Sequence, residues 1–502
     1  MNMRKKVIAF LLTAGMLVSC LVGCGQKNNG GSAGTTSGST DSAQQQEEIA
    51  TVTWCVRATP EEDDELVLEE MNKLLEERYN LHLNMVFISP SDFNQRMQLM
   101  STSNEDYDLC FTSTWANYFY DNVNREAFLS LNDLLESDAA ADLMAVYPDG
   151  LEEVARVDGN VYALPNYQLI YHQLAAFIQK DLADKYELDL DAEYDTIVDL
   201  LPFMEEVRDN EKDLFVLNET QNIRYMTTVG IFDDIATFAY VYRDDPEYKV
   251  HFLLETPEII EQYRTMNSWF HSGILRSDLA TAIDVTADEA ANRYAISLKT
   301  AKPGGEAEFT NTYQKEYVQV SFGEPYLQYN AGAATMTAIN VNSKNPEAAI
   351  KLYGVMWTDK EIYNMALFGI EGVHYNKVSE NRIELVEGRK YNKSGLSWAI
   401  GNQFNAYLLP GQEDGIWEET EELNRTAEVS HLAGFNFDTS AVETEMAQCN
   451  SVWKEYERQA YYADDYDVWL TEITTKMKAA GIDTIIAEVQ KQIDEWRVAN
   501  GK

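Results

Sequence analysis

From Thr51 to Thr112 the chain switches repeatedly between two periodicities, and that alternation restricts the fold more than any other feature. Apolar runs rich in β-branched and aromatic residues occupy Thr51–Val56, Leu81–Ile88 and Tyr107–Thr112. Between the first two, Leu66, Met71, Leu74, Leu75 and Tyr79 recur at helical spacing, and a second helical segment spans Phe93–Met100. Strand, helix, strand, helix, strand within so short a stretch predicts a parallel, doubly wound sheet, because parallel neighbours need a crossover helix between them. Such sheets bind ligands beyond the carboxyl ends of their strands. The loops Arg57–Asp64 and Ser113–Tyr120 are therefore the predicted walls of a site.

Ahead of this unit lies a segment of another kind. Arg4, Lys5 and Lys6 precede an apolar run from Val7 to Val22, too short to span a bilayer comfortably, and the run ends in Leu21-Val-Gly-Cys24. This reads as an export signal ending in a lipobox, with Cys24 diacylated and residues 1–23 removed. Leu17-Val-Ser-Cys20 fits the same pattern, but Cys20 is followed by apolar Leu21 and Val22, whereas Cys24 is followed by Gly25, Gln26 and Lys27. Two acyl chains supply the double signal that stable anchoring requires. Residues 24–50 are Gly, Ser, Thr, Asn and Gln with almost no large apolar side chain, so they read as a flexible tether reaching about 28 Å.

Further on, Asn345 before Pro346 predicts a capped helix to about Trp357, and Thr358-Asp-Lys-Glu361 predicts a capping box for a second helix stopping at Gly369. Ile482, Ile485, Ile486, Val489, Ile493 and Trp496 form one face of a terminal helix, with Gly481 closing the helix before it. The stretch after Thr51 is long enough for two domains.

The formal net charge of −44 excludes nucleic acid as a partner, since such a surface is repelled by phosphate and has no basic cluster with which to release counterions. Past the signal the cysteines are Cys55, Cys110 and Cys449, an odd number, expected as buried thiols. No glycine-rich phosphate loop and no Gly-x-Ser-x-Gly elbow occurs, and the six histidines are not spaced as zinc ligands. No cofactor, metal or catalytic residue is expected. With 83 acidic residues, pairs of carboxylates carry no information about catalysis.

Aromatic residues are more telling. Trp115, Tyr118, Phe119, Tyr120, Tyr167, Tyr171, Trp398 and Trp417 fall in predicted loops. A sugar ring stacks its C–H face on an aromatic plane while its hydroxyls take polar partners at the rim. Trp115 follows a predicted central strand, on the side where such sheets bind ligands, among polar Ser113, Thr114 and Asn117. It is the expected main stacking surface, with Tyr118 and Tyr167 secondary and Arg57 at the rim.

Four stretches resemble one family: Tyr107-Asp-Leu-Cys-Phe-Thr-Ser-Thr-Trp115; Asp158-Gly-Asn-Val-Tyr-Ala-Leu-Pro165; Asn345-Pro-Glu-Ala-Ala through Gly369-Ile-Glu-Gly-Val-His-Tyr375; and Trp398–Phe404 with the tail from Gly434-Phe-Asn-Phe-Asp. In order, and with the lipobox, they resemble the lipoprotein extracellular solute-binding proteins, family 1, of Gram-positive carbohydrate ABC transporters. The resemblance implies an α/β, two-lobe, type II periplasmic-binding-protein-like fold, each lobe a doubly wound sheet flanked by helices, with a helical C-terminal region. It implies lobe 1 from 51–165 plus 324–375 and lobe 2 from 166–323 plus 376–502, with crossings after Asn166, near Gly323–Gly332 and after Tyr375. It further implies a monomer, lipid-anchored on the extracellular face of the membrane, that traps an oligosaccharide and hands it to permease subunits without chemistry. Glu371 and His374, with Asn402 and Gln403, are its expected rim hydrogen-bonders. A cell-surface glycoside hydrolase and a peptide-binding transport receptor are the alternatives.

Overall fold

The computed structural model describes residues 49–103, 105–218, 226–228, 230–281 and 286–502. The signal segment, Cys20, Cys24 and the tether up to residue 48 lie outside the described residues. Ala50, expected to end the tether, already belongs to the first strand.

The alternation of periodicities folds as its pattern requires. Strand β1 (Ala50–Arg57), helix α1 (Asp64–Tyr79), strand β2 (Leu81–Ile88), helix α2 (Phe93–Ser103) and strand β3 (Leu109–Thr112) follow one another. β1 pairs in parallel with β2 from Ala50↔Leu81 to Arg57↔Ile88, and on its other side with β3 at Trp54↔Leu109 and Cys55↔Cys110. Trp54, Cys55 and Val56 are buried, as expected of a central strand covered on both faces. The buried face of α1 is Val67, Met71 and Leu75, while Leu66 is 41% exposed, so the helical stripe is rotated by one residue from the sequence reading. Two further strands, Met336–Ile339 and Ala163–Pro165, complete a five-stranded sheet in the order β2, β1, β3, Met336–Ile339, Ala163–Pro165. Both added pairings are antiparallel.

A second five-stranded sheet has the order Glu428–Val429, Tyr317–Leu327, His172–Gln179, Tyr294–Thr300, Phe215–Asn218. It is mixed: His172–Gln179 runs antiparallel to both neighbours, and the outer pairs are parallel. Helices Leu201–Asn210 and Pro257–Ser272 and the C-terminal helices Glu443–Tyr456, Tyr466–Ala479 and Ile482–Asn500 bury their apolar faces in its core. The last of these places Ile482, Ile485, Val489 and Ile493 inward, as read from the sequence. The result is an α/β fold built on two five-stranded sheets, each with its own large hydrophobic core, and a helical C-terminal region.

The expected division of the chain needs correction at two points. Strand Tyr317–Leu327 is in the second sheet, so residues 324–327 lie there and not in lobe 1. More substantially, 376–409 packs in the first core. Ile383, Tyr391, Leu396, Ile400, Tyr407 and Leu409 are buried there, Tyr407 lies against Phe368, and the Tyr391 hydroxyl donates to Ala366 O at 2.6 Å. The third crossing therefore comes after Leu409, through helix Ile416–Thr426, and not after Tyr375. At Tyr375 the chain instead enters a short hairpin, Tyr375–Lys377 with Ile383–Leu385, that keeps it on the first side. The other two crossings run through Asn166–Tyr171 and through 328–335.

The tandem helices form over Pro346–Thr358 and Lys360–Phe368, but their caps differ from the sequence reading. Asn345 makes no side-chain cap bond, and the second helix is capped by Asp359, which accepts from the amides of Glu361 and Ile362. Thr358 instead donates back to Gly354 O at 3.0 Å, a bond available only to a residue still inside the first helix. Cys55, Cys110 and Cys449 are buried free thiols.

Candidate functional site

Arg57 ends β1 and Thr112 ends β3 on adjacent parallel strands, so both strands release their loops at the carboxyl-end edge of the sheet. The loop after β3 is short and heavily bonded. Ser113 Oγ accepts from the amides of Trp115 and Ala116 at 3.2 and 2.8 Å, and Thr114 N donates to Ala333 O at 3.2 Å in the second crossing. Asn117 is buried with φ +44°, its side chain donating to Phe111 O at 2.9 Å and its amide donating to Asn94 Oδ1 at 2.9 Å. Asn117 therefore shapes the loop, and its polarity is not rim polarity.

The loop presents Trp115 and Tyr118. They are 43% and 49% exposed, and among the described residues they are the only aromatic side chains in the exposed class. Trp115 is nonetheless fixed in place. Its indole N–H donates to Ala334 O at 2.8 Å, and its ring lies 5.8 Å from Phe111 and 6.1 Å from Trp398, inclined 37° to the latter. The Arg57 guanidinium sits over the Trp115 ring, 4.9 Å from its centroid, and partial burial lowers its pKa from the ordinary value. A half-exposed indole beside a second indole and under a guanidinium is a polarisable aromatic surface with the guanidinium's hydrogen-bond donors next to it.

In the sequence Trp398 stands out as a loop aromatic and as the start of the Trp398–Phe404 stretch that carries part of the resemblance, but not as a member of the site. Its partnership with Trp115 spans a sequence separation that no local periodicity reports.

Tyr167 lies in the first crossing, stacked on Trp357 with ring centroids 6.0 Å apart and planes 6° from parallel, and edge-on to Phe404 at 4.7 Å. Its backbone pairs with the segment around Asn402, donating to Gly401 O and accepting from Gln403 N. Burial and the Glu421 carboxylate raise its phenol pKa. The structure thus brings together Arg57, Trp115 and Trp398, and separately Tyr167, Asn402 and Gln403. Gln403 is 4% exposed and donates to Ser397 Oγ at 3.0 Å, so it supports the loop and is not a rim residue. Asn402 caps the short helix Gln403–Asn405 by accepting from Phe404 N.

Glu371 and His374 belong to a different network. His374 is fully buried, accepting from Ile370 N at Nδ1 and meeting Asp63 through Nε2 at 3.1 Å, which ties the loop after β1 to the 370s. It cannot serve as a rim hydrogen-bonder, because both ring nitrogens are engaged and no part of it reaches the surface. Glu371 is exposed and faces Lys377 at 3.8 Å. Beside them Lys393, buried, meets Asp64 at 2.9 Å and Glu61 at 3.2 Å and donates to Thr59 O. These contacts hold the loop that begins at Arg57.

Comparison with solved structures gives the class of fold: the chain has the fold of the two-lobe extracellular solute-binding proteins of carbohydrate ABC transporters. It superposes on the N-glycan transport solute-binding protein NgtS of Streptococcus pneumoniae with a TM-score of 0.78 and 20% identity, over 90% of this chain and 100% of that one. Against the same protein in complex with Man5GlcNAc the TM-score is 0.74, with 20% identity over 90% of this chain and 99% of that one. The S. pneumoniae substrate-binding protein FusA in complex with kestose is more distant, at 0.60 and 14% identity over 89% and 100%. In sequence, the chain is 24% identical over 452 residues to a carbohydrate ABC transporter substrate-binding protein of S. pneumoniae serotype 4, covering 87% of this chain and 89% of the relative. Residues 431–498 match a family model described as a domain of unknown function, DUF3502.

Proposed function

We propose that this chain is the substrate-binding lipoprotein of a carbohydrate ABC transporter. It takes an extracellular oligosaccharide between two lobes and delivers it to the permease, carrying out no reaction on it. The observation that carries the reading is the platform loop: the exposed aromatics Trp115 and Tyr118 stand together just past the carboxyl end of β3, with Arg57 over one of them. An aromatic stacking surface with guanidinium donors next to it suits a ring with a C–H face and hydroxyls around it. Further support comes from the solved relatives, which include proteins in complex with Man5GlcNAc and with kestose. Cys24 is the proposed anchor, so that Cys24→Ala releases the protein into the medium and membrane retention of that variant contradicts the anchor.

The test is a thermal-shift screen against a broad glycan panel. An oligosaccharide at about 100 times its Kd stabilises the folded chain by about 2.7 kcal/mol. Protection by glycans and not by peptides is the expected result. Protection by peptides alone, or release of reducing sugar during incubation, overturns it in favour of a peptide receptor or a hydrolase.

A further inference from the structure

Asn166 stands at the start of the first crossing and is 0% exposed. Its amide is saturated. Nδ2 donates to Thr335 Oγ1 at 2.9 Å and to Ala399 O at 3.1 Å, while Oδ1 accepts from Tyr353 OH at 3.0 Å, Gly401 N at 3.0 Å and Thr337 Oγ1 at 3.1 Å. Its backbone N–H donates to Thr335 O at 3.0 Å. Through these bonds one side chain joins the first crossing, the second crossing at Thr335, the helix Pro346–Thr358 at Tyr353, and the 398–401 loop.

Two of these bonds reach the platform. Thr335, held by Asn166, donates its hydroxyl to Trp398 O at 2.9 Å, and Ala399 O, next in the chain, accepts from Asn166 directly. On the other side, Ala334 O accepts the Trp115 indole N–H at 2.8 Å, one residue before Thr335. Both indoles are thus referenced to the same pair, Asn166 and Thr335. A carboxamide is needed here: leucine of similar size would take Asn166 away from all of these buried partners, and aspartate would set its charge against the Ala399 carbonyl.

We infer that Asn166 is the positioning residue of the ligand platform, setting Trp398 against Trp115 and tying both to two of the crossings between the sheets. The inference deepens the proposed function and rests on it for the affinity readout, but not for the spectroscopic one. The two indoles lie 6.1 Å apart at 37°, close enough for their transitions to couple, so a paired circular-dichroism band that is lost in Trp398→Phe is the expected reference signal.

The experiment compares Asn166→Asp and Thr335→Val, each alone and combined with Trp398→Phe, in the full mature chain. In the ligand-free protein both single variants are expected to weaken the paired band. With a glycan found in the screen, each is expected to lower affinity by about tenfold, and by much less when Trp398 is already Phe, because neighbours acting through one group are not additive. If Asn166→Asp fails to fold, Thr335→Val carries the test, since it keeps the side-chain shape and removes the hydroxyl relay to Trp398. An unchanged band, or an affinity loss of the same size in both backgrounds, overturns the inference and leaves Asn166 as packing alone. Failure of wild type to bind any glycan, with the band behaving as described, instead counts against the proposed function.

Discussion

Trp115 combines a fixed edge with an available surface. Its N–H is bonded to Ala334 O and its ring packs on Phe111, yet 43% of the residue remains exposed. Trp115→Ala is therefore expected to weaken glycan binding by about ten- to a hundredfold, the equivalent of roughly 1–3 kcal/mol, while lowering the stability of the free protein by only about 1–2 kcal/mol. Titration and denaturant unfolding of the same variant check both halves. His374 should behave oppositely. With both ring nitrogens engaged and no exposure, His374→Ala is expected to cost about 1–3 kcal/mol of stability, measured by urea unfolding, and to leave affinity per folded molecule unchanged. His172 adds a pH dependence. Burial pushes it down to about 4. Between about 6.5 and that value the unfolded chain binds a proton that the folded chain does not, so the His172 contribution to stability is full above about 6.5 and is lost as pH falls toward 4. The loss is about 3 kcal/mol, from the drop from 6.5 to about 4 at about 1.36 kcal/mol per pH unit. His172→Gln should remove that part of the slope between about pH 6.5 and 4 in melting curves.

At the scale of elements, the 398–403 loop depends on one glycine. Gly401 has φ +59°, and a Cβ there would lie 2.6 Å from Met356 O. Gly401→Ala is expected to displace the loop, lowering both the unfolding midpoint and glycan affinity; an unchanged protein on both measures contradicts that role. The elements also differ in how legible they are from sequence. The run from β1 to β3 and the terminal helix are readable because periodicity and flanking residues act locally. The cap moves from Thr358 to Asp359 because both residue types cap well and only helix packing decides between them. The 376–409 segment falls on the wrong side in the sequence reading because its burial comes from scattered single residues, such as Tyr391, Ile400 and Tyr407, packing onto helices distant in sequence. The same limit applies to the site. Trp115 and Arg57 can be placed from strand ends, whereas the polarity of His374 and Gln403 gives no sign that it is turned inward.

At the scale of the molecule, the two large cores meet, among the described residues, through few bonds besides the crossings. Asn436, within the 431–498 region, joins the Tyr120 hydroxyl and Arg156 O, and Asn311 donates to Pro410 O at 2.7 Å. Separate cores linked by three crossings and a sparse polar seam are the arrangement that the proposed capture between lobes requires, and closure on a ligand is expected to lower the radius of gyration in small-angle scattering. Glycan capture on the Trp115 platform is tested at its root by calorimetric titration of the mature chain with the panel of oligosaccharides, run beside Trp115→Ala. Saturable one-to-one binding of an oligosaccharide, weakened about tenfold or more in a variant that remains folded, is the predicted result. Glycan binding of equal strength in wild type and Trp115→Ala, or no glycan binding where another solute binds, would contradict it.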